Sequence, residues 1–228
     1  MNQRQSKLLN LVIENHIESA QPIGSRFLIS EAGLDWSEAT VRNDLRTLEE
    51  EGYLTHPHTS AGRVPTEKGY RFYLKNLDLA KAKISKKDND VLGMSMKEAT
   101  DPELQYKNLA RTLADLSGET VFFAPSPDKV YFAGLSNLFA KPEFRALELI
   151  ADLSQILDHC DQCLNQFFED DALYSMPKFL LGKEHDFGNM LAALAFNREE
   201  GSLLVMIGPM RMDYSRNYAL MNRVKELM

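Results

Sequence analysis

The segment SEATVRNDLRTLEEEG, Ser37 to Gly52, limits the possible folds more than any other part of the chain. The serine at its head has the small hydroxyl that caps a helix N-terminus, and Gly52 closes it with the residue that leaves a helix most easily. Between them Val41, Leu45 and Leu48 fall at i, i+4 and i+7, the inward stripe of an amphipathic helix. Upstream, Arg4–Ser19 reads as a helix with Leu8, Leu11, Val12 and Ile17 inward, and Pro22-Ile23-Gly24 breaks it. Ser25 then caps a short helix RFLISEA that Gly33 stops, and only Leu34-Asp35-Trp36 separate it from the helix that Ser37 caps. Two helices joined by so short a link predict a helix-turn-helix. Downstream, Tyr53-Leu54-Thr55-His56-Pro57 reads as a strand, Ser60-Ala61-Gly62 as a turn and Arg63-Val64-Pro65 as a returning strand, before Thr66 caps a further helix. A two-stranded ribbon directly after the second helix is a wing.

With Val41, Leu45 and Leu48 inward, a helix turning ~100° per residue places Ala39, Asn43 and Arg46 on its opposite face and Arg42 on the flank. Ser37 and Thr40 stand at its N-terminus, where backbone N–H groups and the helix dipole favour a phosphate. Arginine pairs in two prongs with guanine and asparagine with adenine, while a small alanine admits a close approach or meets a thymine methyl. Alone, such a face is more often a solvated one with i,i+4 charge pairs. The wing changes that balance. It carries His58, Thr59, Ser60 and Arg63, all able to reach phosphate or a minor-groove edge, and Lys68 and Arg71 follow on the next helix. The net charge of −7 argues against a polyanionic partner only on average, because residues 53–87 hold 8 basic and 2 acidic side chains. A phosphate backbone feels such a patch within a Debye length. Double-stranded DNA is the expected partner. A metal reading of His56 and His58 fails, since they stand two apart around Pro57 with no cysteine or carboxylate cluster nearby.

A hydrophobic content of 44% with 26% charged residues is that of a globular chain, and 228 residues suffice for two modest domains. No apolar run approaches the ~18–20 residues of a membrane span. The N-terminus has helical rather than export-signal patterning, and two cysteines give no disulfide framework. A cytoplasmic protein with no membrane partner is expected.

The run SEATVRNDLRTLEEEGYLTHPHTSAGRVPTEKGYRFYL, Ser37 to Leu74, with QPIGSRFL before it, resembles the heat-inducible transcription repressor family, HrcA. The match is dense over residues 3–77, and the PHTSAGR-PT-KGYR run is a specific marker rather than a generic helix-turn-helix feature. Two later stretches, GLSNLFAKPEF (Gly134–Phe144) and IGPMRMDYSRNYALMNRVKEL (Ile207–Leu227), look like the closing half of that family's GAF-like domain. The resemblance implies a homodimeric repressor that binds an inverted repeat upstream of chaperone genes and releases it on heat stress, with a chaperonin among its partners. Family members are usually longer, with an inserted dimerisation domain before the GLSNL-type segment. Here that interval reads only as a linker, one helix and a short pair of strands, so the chain resembles a shortened member lacking most of the central insertion.

The expected fold is α+β: a winged helix-turn-helix domain over residues 1–77, a linker over 78–100, and a shortened GAF-like regulatory and dimerisation domain with an antiparallel sheet over 101–228. Lys81–Lys87 followed by Asp88-Asn89-Asp90 reads as an exposed linker or mobile helix end. Leu104, Leu109, Leu113 and Leu116 predict an amphipathic helix over Asp101–Ser117. Strands are expected at Thr120–Ala124, Val130–Leu135, Met176–Leu181, Met190–Phe196 and Leu203–Ile207. A long helix is expected at Pro142–Phe168 and a closing helix from Asp213. A dimer surface is sought on the helix 101–117 or 142–168, each richer in apolar side chains than one sheet face needs.

The stretch His159-Cys160-Asp161-Gln162-Cys163 invites a chemical reading. Thiols at i, i+3 can hold half a metal site completed by a second protomer, or act as a redox pair. The plainer reading, two small residues on a helix near the core, is preferred. His185 reads as a loop histidine, and Met206, Met210, Met212 and Met221 as core filling. No phosphate loop, HExxH, GxSxG or paired-carboxylate cleft occurs, so no enzyme, metal or cofactor is expected. The alternative function is a metabolite-responsive winged-helix regulator with a small-molecule pocket in its C-terminal domain, whose residues the sequence does not name.

Overall fold

The structure is a computed structural model that describes all residues except 31–32, 58–61, 98–99, 145–153, 155–157, 175 and 199–200. The chain divides into two compact units, Met1–Leu77 and Asp78–Met228. The first contains α1 (Gln3–Ser19), α2 (Ser25–Ser30), α3 (Glu38–Glu50), β1 (Leu54–Thr55), β2 (Val64–Pro65) and α4 (Glu67–Asn76). Short polar side chains start three of these helices: Asn2, Ser37 and Thr66 accept from the backbone N–H of Gln5, Thr40 and Gly69. Leu28, Val41, Leu45, Leu48, Leu54 and Tyr70 are buried with Leu8, Leu9, Val12 and Ile13 of α1. Leu11 and Ile17 are only half-buried, because α1 packs between α3 and α4 rather than on one surface. In the wing Leu54 lies opposite Pro65 and Thr55 opposite Val64, antiparallel.

The second unit contains α5 (Lys86–Ser95), α6 (Pro102–Ser117), β3 (Thr120–Ser126), β4 (Lys129–Ala133), α7 (Leu135–Ala140), α8 (Cys160–Phe168), β5 (Lys178–Leu181), β6 (Leu191–Asn197), β7 (Leu203–Pro209) and α9 (Tyr214–Leu227). Its five strands lie in the order β4-β3-β7-β6-β5, every neighbouring pair antiparallel. Val121, Phe123, Leu194, Leu204 and Met206 of one sheet face pack with Leu92, Leu113, Leu220 and Val224 from α5, α6 and α9. Phe122, Ala193, Val205 and Ile207 of the other face pack with Leu138, Leu164 and Phe167 from α7 and α8. Helices on both faces bury β6 and β7 along their whole length, which is why their sequences are continuously apolar rather than alternating.

Several elements differ from the sequence expectation. Residues 86–95, placed in a linker by their charge, form α5, whose Leu92 is fully buried and whose Asp88 pairs with Arg216 at 3.2 Å. The strand expected to reach Leu135 stops at Ala133, because Gly134 turns the chain with φ +78° into α7. Pro142–Phe144 is a 3-10 turn, since Lys141, the residue before a proline, is held extended at ψ 140°. Of the helix expected over 142–168, α8 forms the end, and residues 145–153 and 155–157 lie outside the described residues. Leu109, Ala110, Leu113 and Ala114 of α6 are buried in the core of their own unit, so that stripe is not an open dimer surface.

Candidate nucleic-acid interface

Opposite its buried stripe, α3 exposes Ala39, Arg42, Asn43 and Arg46, with Ser37 exposed and Thr40 half-buried at its N-terminus. Ser37 Oγ accepts from the Thr40 backbone N–H at 3.2 Å and lies 2.9 Å from its hydroxyl. Arg42 Nη2 sits 2.6 Å from Glu38 Oε1, and Arg46 Nε 2.9 Å from Glu50 Oε1. Each is an i,i+4 surface pair, worth ~0.3–0.5 kcal/mol. A competing acceptor displaces such a pair at little cost.

The rotation of α3 is set from the opposite side. Asp44 lies three residues after Val41 on the inward face and is buried. Arg4 of α1 donates to it twice, Nε to Oδ2 at 2.6 Å and Nη2 to Oδ1 at 3.1 Å. This planar, charge-assisted fork fixes which residues α3 turns outward. A carboxylate on an inward helix face signals a cationic partner, but nothing in the sequence names Arg4 for that role.

The wing is anchored on both sides. Ile23 and Arg63 exchange backbone hydrogen bonds of 2.8 and 2.9 Å, so the segment before α2 joins the ribbon beside β2. Gly62 packs so closely on Pro22 that an added Cβ would stand 2.7 Å from its carbonyl carbon. Only glycine fits there. At the other end, Thr66 Oγ1 donates to the Gly52 carbonyl at 2.7 Å, and Gly69 lies too close to the Tyr53 carbonyl for any Cβ.

Arg63, Lys68 and Arg71 are held within the unit. Arg63 is 19% exposed and turns onto α3, with Nε 2.7 Å from Glu49 Oε2 and Nη1 donating to His56 Nδ1 at 2.5 Å. Lys68 Nζ donates to the Glu51 carbonyl at 2.7 Å, where a cation meets the negative end of α3, and lies 4.4 Å from the Tyr53 ring centre. Arg71 pairs with Glu67 at 2.6 Å. His58, Thr59 and Ser60 lie outside the described residues. The basic run of 53–87 also divides: Lys81, Lys83, Lys86 and Lys87 belong to the second unit.

Among the described residues, no group of three or more His, Cys, Asp and Glu could hold a metal. Cys163 donates to the Asp186 carbonyl at 3.6 Å, and burial raises the pKa of both thiols, which makes them poor nucleophiles. His185 lies on a loop, as expected, and is buried there. Its Nε2 donates to the Leu191 carbonyl at 3.1 Å, and burial lowers its pKa. No described helix is long and apolar enough to cross a membrane.

Residues 75–217 match the family model described as the HrcA protein C-terminal domain. The chain belongs to the HrcA family. That family is one of transcription repressors, not enzymes. Residues 12–72 match the ribonuclease R winged-helix domain, in agreement with the fold of the first unit. The heat-inducible transcription repressor HrcA of Brevibacillus brevis is 52% identical over 77 residues, which are 34% of this chain and 23% of that one. Its counterpart in Parafrankia sp. is 34% identical over 157 residues, 68% of this chain and 46% of that one. The match thus spans less than half the length of these curated HrcA relatives. A solved structure described as a hypothetical protein covers 100% of this chain and 97% of its own at a TM-score of 0.80 and 19% identity, a likeness of fold.

Proposed function

We propose that this HrcA-family chain is a sequence-specific DNA-binding repressor of heat-shock (chaperone) genes, binding an inverted-repeat operator as a homodimer and released on heat stress. The outward face of α3 supports this reading most directly. Ala39, Asn43 and Arg46, with Arg42 beside them, point away from the core on a helix whose rotation Arg4 and Asp44 fix. A major groove admits one such helix. Arg46 then exchanges Glu50 for guanine, Asn43 reads adenine, and Ser37 and Thr40 meet phosphate at the helix N-terminus. The wing tip, His58, Thr59 and Ser60, takes the adjacent backbone or minor groove. Arg63, Lys68 and Arg71 orient the ribbon and α4, and reach phosphate only by exchanging their present partners. One helix reads a short half-site, so two copies set ~34 Å apart, or a multiple of it, are needed. The trigger and a chaperonin partner follow from the family resemblance.

Footprinting on the chain's own genome tests the role, and a protected inverted repeat beside a chaperone gene is expected. Arg46→Ala should lower operator affinity by ~1–3 kcal/mol and leave binding to a scrambled duplex nearly unchanged. An equal loss on both duplexes would remove Arg46 from base reading.

A further inference from the structure

The lysines that follow the winged helix have a setting of their own. A groove of about 590 Å³ runs between the approach to α5 and the exposed side of α9. Lys83 and Lys86 line it from one side and Arg223 from the other. Neither lysine forms an ion pair among the described residues. Arg223 Nη1 donates to Glu226 Oε2 at 2.9 Å, while its Nε is buried without a hydrogen-bond acceptor. The carboxylate at the head of α5, Asp88, is turned to Arg216 at 3.2 Å and does not neutralise the lysines. Three cations therefore face one carboxylate in a chain of net charge −7.

The backbone adds to this field. Ser85 caps α5 by accepting from the Asp88 N–H at 3.0 Å, which leaves the first amides of a ten-residue helix at its positive end beside the groove. The rest of the lining is mixed: Leu79, Ala82, Ile84 and the ring of Tyr218 are apolar, and Asn89 and Asn222 add polar amides. A bare phosphate fills little of such a volume, whereas small-molecule sites run from roughly 300 to 1,000 Å³.

We propose that this groove binds a small organic phosphate, its anionic head on Lys83, Lys86 and Arg223 and its body against Ile84 and Tyr218. Nucleotides and sugar phosphates share that chemistry. The inference does not rest on the repressor reading, because binding is measured on the protein without DNA.

The test is thermal unfolding of the full chain with AMP, ribose 5-phosphate or adenosine, at ionic strength matched with sodium chloride. At about 10 mM, ten times a Kd of about 1 mM, a phosphate ligand is expected to raise Tm by about 3–6 °C. Adenosine and sodium chloride should not. A shift with AMP alone assigns a nucleotide, and a shift with both phosphates assigns a sugar phosphate. Lys83→Gln with Arg223→Gln should weaken binding at least about tenfold, while Lys97→Gln, outside the groove, and Arg46→Ala, on the DNA-reading face, should keep it. If Arg223→Gln fails to fold, Lys83→Gln with Lys86→Gln, both exposed, carries the same test. No shift with either phosphate, or one that survives the groove variants, overturns the proposal.

Discussion

The two units place the same kinds of ion pair in opposite settings. On α3, Arg42 and Arg46 are 68% and 75% exposed beside Glu38 and Glu50. In the second unit, Lys141 reaches Glu119 at 3.2 Å with the carboxylate side chain only 4% exposed, and Arg211 pairs with Glu143 in similar shelter. An exposed pair holds its members with ~0–1 kcal/mol, so a base edge or phosphate competes with it. A buried pair that loses one member costs ~3–5 kcal/mol. The buried pairs also fasten distant segments. Lys141 ties GLSNLFAKPEF to Glu119, where Asn137 Nδ2 also donates to the carbonyls of Ala114 and Glu119, and Glu143 ties it to Arg211 of the IGPMR stretch. Burial, rather than residue type, decides whether a charge serves recognition or architecture.

Glu119 is where that contrast breaks most visibly. Burial pushes its carboxyl up to about 7, against the pull of Lys141 and Arg211. Between its ordinary value of 4.5 and about 7, the folded unit holds a proton that the unfolded chain has released. Stability therefore falls as pH rises through that window. Urea unfolding should show a loss of roughly 3 kcal/mol between about pH 4.5 and 8 that Glu119→Gln does not share. Parallel curves for the two proteins would mean that Glu119 ionises without cost and belongs with the surface charges.

Asp44 is the buried exception among the described residues of the first unit. Asp44→Ala should lower stability by ~2 kcal/mol, the scale of a doubly charge-assisted contact. A loss under ~0.5 kcal/mol, the range of surface substitutions, would place it with Arg42 and Arg46.

Arg63 lies between the two classes. Arg63→Ala should cost ~1 kcal/mol of stability and leave the salt dependence of DNA binding unchanged. A slope reduced by about 0.9 would mean that Arg63 leaves Glu49 for a phosphate.

The smallest stability effect belongs to Arg46→Ala, within ~0.5 kcal/mol, with its consequence confined to operator affinity. Destabilisation beyond ~1 kcal/mol, well outside that surface range, would show that Glu50 holds Arg46 as part of the fold.

Signals within one turn or one strand made α3, the wing and the sheet legible. Ser37 and Thr66 cap where a short hydroxyl must, and the apolar runs of β6 and β7 read as strands, although their burial on both faces is a property of the packed sheet. The ties that orient these elements are not local. Arg4 and Asp44 stand 40 residues apart, and Ile23 finds Arg63 across a comparable interval. Helix α5 is hidden in the sequence because Lys86, Lys87 and Asp90 dominate it, while the partner that permits Asp88 to be buried, Arg216, lies on α9. Helix α7 continues the apolar pattern of β4, and only the left-handed turn at Gly134 separates them. For Arg63 the place beside the turn is local, but the direction of its side chain depends on Glu49 and His56.

The long-range ties of the first unit bear on its birth as well as its shape. Arg4 waits for Asp44, Ile23 for Arg63, and His16 for the Tyr70 hydroxyl, 2.8 Å from its Nδ1 and 54 residues further along. During synthesis α1 appears first, yet a lone helix of its length is marginal in water until partners arrive. A domain whose contacts span most of its sequence folds only when nearly all of it is free. A nascent chain halted before α4 would already display Asn43 and Arg46 but could not aim them. Competence for DNA should thus come late and in a single step, as the ribosome releases the segment around Tyr70.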